Sequence, residues 1–188
     1  ENNAQRLMRT SGINRYFLEH MRKLKVFTLS EHEEKIINLK DTTGSSTMSK
    51  VYDILSTSLR FPLIVDGKRQ NFTSSELKVH FTSSKANLRE GAYKSLFKVY
   101  KKQRDVLGEL YSSIVRDWHN ESITLRKYPS PISVRNKAND IPDDAVEAML
   151  SVVRDNREVF QDYFRLKAKW LGLEKMSRYH IYAPLEKE

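Results

Sequence analysis

The sequence contains no cysteine. That excludes a disulfide framework and any Cys-based metal or redox chemistry, and it is compatible with a reducing compartment, so a cytoplasmic location is expected. No apolar run approaches the ~20 residues needed to span a bilayer. The opening "ENNAQRLMRT" does not read as a signal peptide. There is no Gly-rich phosphate loop and no Gly-x-Ser-x-Gly elbow, which removes the commonest nucleotide-binding and serine-hydrolase signatures. No internal repeat and no low-complexity tract is present.

The 188 residues suit one domain or one large lobe, with 39% apolar residues for a core and 30% charged residues for a very polar surface. The net charge is +9, from 33 basic and 24 acidic residues. A basic balance raises the question of nucleic acid. Here Lys and Arg are spread along helical patterns with acids between them. The densest groups are Arg22-Lys23-x-Lys25 and Lys101-Lys102-x-Arg104. Solvated helix faces account for most of this pattern.

Apolar spacing predicts a mainly helical chain. Residues 4–25 carry Leu7, Ile13, Tyr16, Phe17, Leu18, Met21 and Leu24 at helical intervals, with Gly12 a weak spot. Ser30 and Glu33 form a capping box that opens a second helix to about Leu39. "DTTGSST", 41–47, reads as a linker, and Met48 to Leu59 as a short amphipathic helix. "LRFPLIVDGKRQNFT" then reads as a β-hairpin over about 60–72, with Asp66-Gly67 as a type I′ turn and Pro62 at an edge position. A lone hairpin is marginal in water, so it must lie against helices.

Thr73 with Glu76 is a second capping box, opening a helix to about Phe81, and Ser84 is the expected next cap. One long helix is expected from Ala86 to His119, with Gly91 and Gly108 as sites of close packing or small bends. The Pro-rich stretch 128–142 should be extended, with at most a short helix at 131–138. Pro142 and Asp143-Asp144 mark the start of a final helix over about 142–171, and Gly172 its stop.

The chemistry-bearing residues do not converge. His32-Glu33 is the first half of the zinc-protease signature His-Glu-x-x-His, but the i+4 position is Ile36, which cannot bind a metal. His20, His32, His80, His119 and His180 are scattered, and no two stand at i, i+4. Glu33/Glu34 and Asp143/Asp144 are helix-start charges. Adjacent residues do not share a helix face and make poor acid–base pairs. The sequence therefore offers no catalytic and no metal-ligating residue, and its substrate-binding residues are open.

Several segments, in order, resemble the oligoendopeptidase F family of thimet-oligopeptidase-like zinc metallopeptidases. "TLSEHEEKIINL" is similar to the family's Leu-Ser-Glu segment, and the hairpin "LRFPLIVDGKRQNFTSSEL" follows in the same order. "SSKANLREGAYKSLFKVY" matches a family segment with an Arg before an aromatic helix. The tail is the most specific piece. Leu171-Gly172-Leu173 and Tyr182-Ala183-Pro184-Leu185 match the family's run to Tyr-Asp-x-Tyr-Ala-Pro-Leu, with His180 in place of the Asp.

The resemblance implies an internal, non-catalytic helical lobe, all-α with long antiparallel helices and one small hairpin. Residues 1–188 would be a single lobe, with 41–47 a linker and 60–72 a hairpin insertion. The family's His-Glu-x-x-His helix and further Glu ligand have no matching positions, so zinc and the catalytic domain are expected elsewhere in the same polypeptide. The parent would hydrolyse short peptides, zinc polarising the scissile carbonyl and a Glu taking a proton from its water. This lobe would wall a deep cleft that admits short flexible peptides, its basic balance drawing their carboxylates inward. No membrane partner is expected. A catalytically dead relative is a further possibility, and a basic nucleic-acid-binding or scaffold module without enzyme activity is the alternative. The lobe reading predicts no salt-sensitive gel shift with DNA or RNA, whereas the alternative requires one that weakens steeply as salt rises.

Overall fold

The computed structural model describes residues 11–185 together with Asn3, Gln5, Arg6 and Arg9. Leu7 and the expected helix start at position 4 lie outside the described residues. Among the described residues the architecture is the expected one, helices with a single antiparallel hairpin. In order these are α1 (Arg15–Leu24), α2 (Glu31–Asp41), α3 (Ser45–Ser58), β1 (Phe61–Val65), β2 (Lys68–Phe72), α4 (Ser74–Val79) and α5 (Ala86–Lys102). They continue as α6 (Arg104–His119), α7 (Pro131–Ala138), α8 (Asp143–Asp155) and α9 (Arg157–Trp170). Short 3-10 turns occupy Gly12–Asn14, Lys25–Phe27, His80–Thr82 and Arg178–His180.

The chain gathers into two compact units, where the sequence suggested one lobe. The first takes residues up to Ser46 with Ile114–Ser151, and the second takes Thr47–Ser113 with the residues from Val152 onward. Among the described residues no helix is long and apolar enough to cross a membrane.

The second unit is built on the hairpin. Asp66 and Gly67 have φ of +48° and +76°, the two left-handed central residues of a type I′ turn. The register pairs Phe61 with Phe72 and Leu63 with Gln70. Phe61 and Leu63 are thereby turned to one face, where they join Leu77 of α4 and Ala92 of α5 in the core cluster. Phe61 and Leu77 are fully buried, and Phe61 meets the Tyr100 ring at 5.8 Å. A Cβ on Gly91 would stand 2.9 Å from Leu63 Cδ1, so the missing side chain is what lets β1 lie close against α5. Gly108 meets nothing within 4 Å and needs no packing explanation.

Both capping boxes are formed. Glu33 N–H donates to Ser30 Oγ and Ser30 N–H to Glu33, and Thr73 with Glu76 does the same. The Ser30 hydroxyl and N–H donating to Glu33, and the Thr73 N–H and hydroxyl donating to Glu76, hold the two carboxyls below the usual range. At the far end of α9, Gly172 has φ +66°. Leu173 N–H reaches Ala168 O at 2.9 Å and Gly172 N–H reaches Lys169 O at 3.1 Å, the double closure of a Schellman motif.

Other expectations need correction. The first helix does not run through Gly12, whose φ of +49° breaks it before α1. The linker shrinks to residues 42–44, because Ser45 already starts α3. Ser84 is not the cap of α5. That position is Lys85, whose N–H is met by Ser83 Oγ at 3.2 Å. The helix expected over 86–119 is interrupted at Gln103, with φ −101° and ψ 5°, and after His119 it continues through a π-helical turn, Asn120–Leu125. The last helix is likewise divided at Asn156, which has φ −99° and ψ 14° and whose Nδ2 donates to Val152 O at 2.8 Å, the same carbonyl that accepts its backbone N–H at 3.0 Å.

The small core concentrates stability in few side chains. Leu77→Ala should cost about 2–5 kcal/mol in urea denaturation. Val79→Ala, two residues away and 70% exposed, should cost less than about 0.5 kcal/mol.

Candidate functional site

Arg89 stands in the first turns of α5 and is only 5% exposed. A buried guanidinium needs acceptors, and these come from the main chain rather than from a carboxylate. Nη1 donates to Ser83 O at 2.5 Å and to Ser84 O at 3.0 Å, and Nε donates to Tyr179 O at 3.3 Å. Burial pushes the Arg89 pKa down, but an arginine keeps its charge. One side chain thus holds the 83–84 turn and the tail against α5. A second buried cation repeats the arrangement, Lys167 Nζ donating to Ile181 O at 2.8 Å. Ala183 is 2% exposed, so the small residue of Tyr-Ala-Pro-Leu is where the tail enters the core.

These ties shape a cavity of about 190 Å³ in the second unit. Phe81, Tyr93, Leu96, Phe97, Tyr179 and Tyr182 wall it, and Arg89 and Arg178 also line it. The rings of Tyr93 and Phe97 meet at 4.7 Å and those of Tyr93 and Tyr179 at 5.8 Å. Glu90 lies nearby, but its carboxylate is engaged by Lys94 at 2.6 Å and by Tyr179, which lowers its pKa. His180 sits edge-on to Tyr179, and its Nδ1 accepts the Ser177 N–H at 3.0 Å. Burial, and then the Arg89 charge, lower the His180 pKa.

The first unit has its own charged tie. Arg126 takes both oxygens of Glu34, at 2.6 and 2.9 Å, and also pairs with Glu121 at 2.7 Å. The bidentate bond to Arg126, with the Leu29 N–H, holds the Glu34 carboxyl down at about 2, and the same contacts raise the arginine. Phe27 stacks on Tyr128 at 3.9 Å beside it. Asp143 accepts from Asn136 and Ser133, both buried, which lowers its pKa and fixes the start of α8 to α7.

A second cavity, of about 360 Å³, is lined by Tyr16, His20, Lys23, Lys137 and Asp140. Asp140, in left-handed conformation at φ +52°, accepts from Tyr16 and lies 3.2 Å from His20 Nδ1 and 3.8 Å from Lys23 Nζ. Tyr16 donates to this carboxylate, His20 Nδ1 is buried beside it without a hydrogen bond, and Lys23 stands at ion-pair distance. Asp140 fastens α1 to the turn before α8.

The remaining histidines stay apart. His32 is exposed on α2, His80 packs edge-on to Phe72, and His119 is exposed at the end of α6. Among the described residues no three of His, Asp and Glu gather as a metal site. Zinc therefore does not fit this donor set. Both dense basic groups fall at helix ends, Arg22 and Lys23 in the last turn of α1 and Lys101 and Lys102 in the last turn of α5, where cations meet the helix dipole. In the sequence Arg89 stands out only through the resemblance, and nothing local marks Arg178. The signal available was an Arg before an aromatic stripe, with an aromatic tail to receive it.

Sequence and fold both resemble a segment of known oligopeptidases. The family model described as Oligopeptidase F matches residues 4–61. Oligopeptidase PepF of Bacillus subtilis is 24% identical over 175 residues, covering 91% of this chain and 26% of that protein. The oligoendopeptidase F homolog of Borreliella burgdorferi is 24% identical over 170 residues, covering 90% of this chain and 28% of that protein. The crystal structure of oligoendopeptidase-F from Enterococcus faecium shares the fold at a TM-score of 0.81 and 21% identity, over 94% of this chain and 35% of that one. The chain is accordingly similar to members of the oligoendopeptidase F family and spans about a quarter of the length of the curated relatives it matches.

The Arg126–Glu34 tie predicts a pH signature. A carboxyl lowered in the fold gives stability that is complete above its unfolded value near 4.5 and fades as pH falls toward 2. Glu34→Gln should cost about 1–3 kcal/mol at neutral pH. It should also flatten the acid limb of stability between those two values, as followed by circular dichroism in denaturant.

Proposed function

We propose that this chain is a non-catalytic helical part of a zinc oligoendopeptidase that hydrolyses short peptides, and that it forms a wall of the substrate cleft. The observation that carries the reading is the agreement of sequence and fold with oligopeptidase relatives along nine-tenths of the chain. The zinc and its ligands would belong to polypeptide other than these residues, whose own histidines do not meet. The lack of cysteine suits the reducing cytoplasm, where we place the protein.

The reading also accounts for surface that a free-standing globule would hide. Along α9, Val159, Phe160, Tyr163, Leu166 and Trp170 are each between 43% and 64% exposed. A row of this kind fits a helix that packs against further polypeptide of the same enzyme. Helices such as α5, of 17 residues, give a wall the stiffness to keep an aperture narrow, so that flexible peptides enter and folded proteins do not.

The test compares the longest natural polypeptide that contains these residues with the 188-residue chain alone. The long form should cleave short internally quenched peptides, lose activity to a chelator and regain it with zinc, and leave a folded protein intact. The chain alone should cleave nothing and take up no zinc by equilibrium dialysis. An inactive long form, or cleavage by the chain alone, would overturn the proposal.

A further inference from the structure

The aromatic cavity of the second unit has features that its structural role does not require. Arg89 uses Nε and Nη1 for its three carbonyls and leaves Nη2 with no protein acceptor among the described residues, although the residue is nineteen-twentieths buried. Arg178 stands exposed at the same cavity, and among the described residues no carboxylate pairs with its guanidinium. The neighbouring acid, Glu90, is already committed to Lys94 and Tyr179. Two guanidinium groups with spare donors therefore face a space otherwise lined by rings and a leucine.

We propose that this cavity binds the C-terminal residue of a peptide, its carboxylate taken by Arg178 and Arg89 Nη2 and its large apolar or aromatic side chain held between Tyr93, Phe97, Tyr179 and Tyr182. A carboxylate matches the planar fork of an arginine, and a ring or branched chain matches aromatic walls. The volume of about 190 Å³ agrees with the side chain. Apolar cavities of ~150 Å³ accept a benzene ring, so one aromatic residue fits and two do not. A carboxylate without the apolar part would leave the rings wet, and an apolar group without the carboxylate would leave the guanidinium donors unmet. The site holds and orients a chain end and does no chemistry. It rests on the geometry of the second unit and does not require peptide cleavage by any parent, so the binding test stands apart from the activity test above.

The experiment titrates the chain with acetyl-Gly-Gly-Phe as the free acid, the same peptide as its amide, acetyl-Gly-Gly-Ala acid and inorganic phosphate, following backbone amide shifts of Arg178–Tyr182 by NMR. The Phe acid should saturate these shifts, with the amide and the Ala acid each weaker by about fivefold to tenfold and phosphate weaker still. Arg178→Gln, at an exposed position, should keep the fold and bring the acid down to the affinity of the amide, while Arg178→Lys keeps part of the preference. Phe97→Ala should weaken the Phe acid more than the Ala acid. Equal binding of acid and amide, phosphate binding as well as the Phe acid, or shifts that map away from the cavity would each overturn the assignment.

Discussion

A buried guanidinium that answers to carbonyls instead of a carboxylate is the constraint on which the second unit depends. Arg89 joins the first turns of α5 to the 83–84 turn just before them and to Tyr179 in the tail, 90 residues further on. Burying a charge in this way is costly unless each donor is placed, and the placement leaves little freedom to the segments that supply the acceptors. The hairpin core sets α5, α5 sets Arg89, and Arg89 sets the tail. The aromatic cavity is a consequence of that order, because Tyr179 and Tyr182 reach its wall only when the tail is held.

The same logic appears in the first unit with different partners. Arg126 gathers Glu34, Glu121 and Phe27 O, tying the start of α2 to the turn after α6. Few apolar side chains are fully buried in either unit. Directed polar bonds therefore carry an unusual share of the tertiary specification. Such bonds fix geometry more sharply than apolar contact, which suits a part whose work in the proposed enzyme is to present a shaped surface.

How far the sequence could be read follows from the range of each interaction. The hairpin turn at Asp66-Gly67, the caps at Ser30 and Thr73 and the stop at Gly172 were legible because each is decided within a few residues. The divisions at Gln103 and Asn156 were not. Apolar periodicity continues across a single turn residue and conceals it, although Asn156, an amide that competes for helix carbonyls, was a usable warning. Nothing about Gln103 announces a break. The π-helical turn at 120–125 likewise has no local mark. Arg89 with Tyr179, Arg126 with Glu34 and His20 with Asp140 join positions about ninety to one hundred and twenty residues apart, and one sequence holds no record of such pairs.

The dependence of the tail on Arg89 can be read directly from amide hydrogen exchange. His180, Ile181 and Ala183 donate their amides to Ser177, Arg178 and His180 at 2.9, 3.3 and 3.0 Å. In Arg89→Met these three amides should lose most of their protection while those pairing β1 with β2 keep theirs, because the hairpin core does not use the guanidinium. Tail amides as slow to exchange in the variant as in the parent chain would contradict the account.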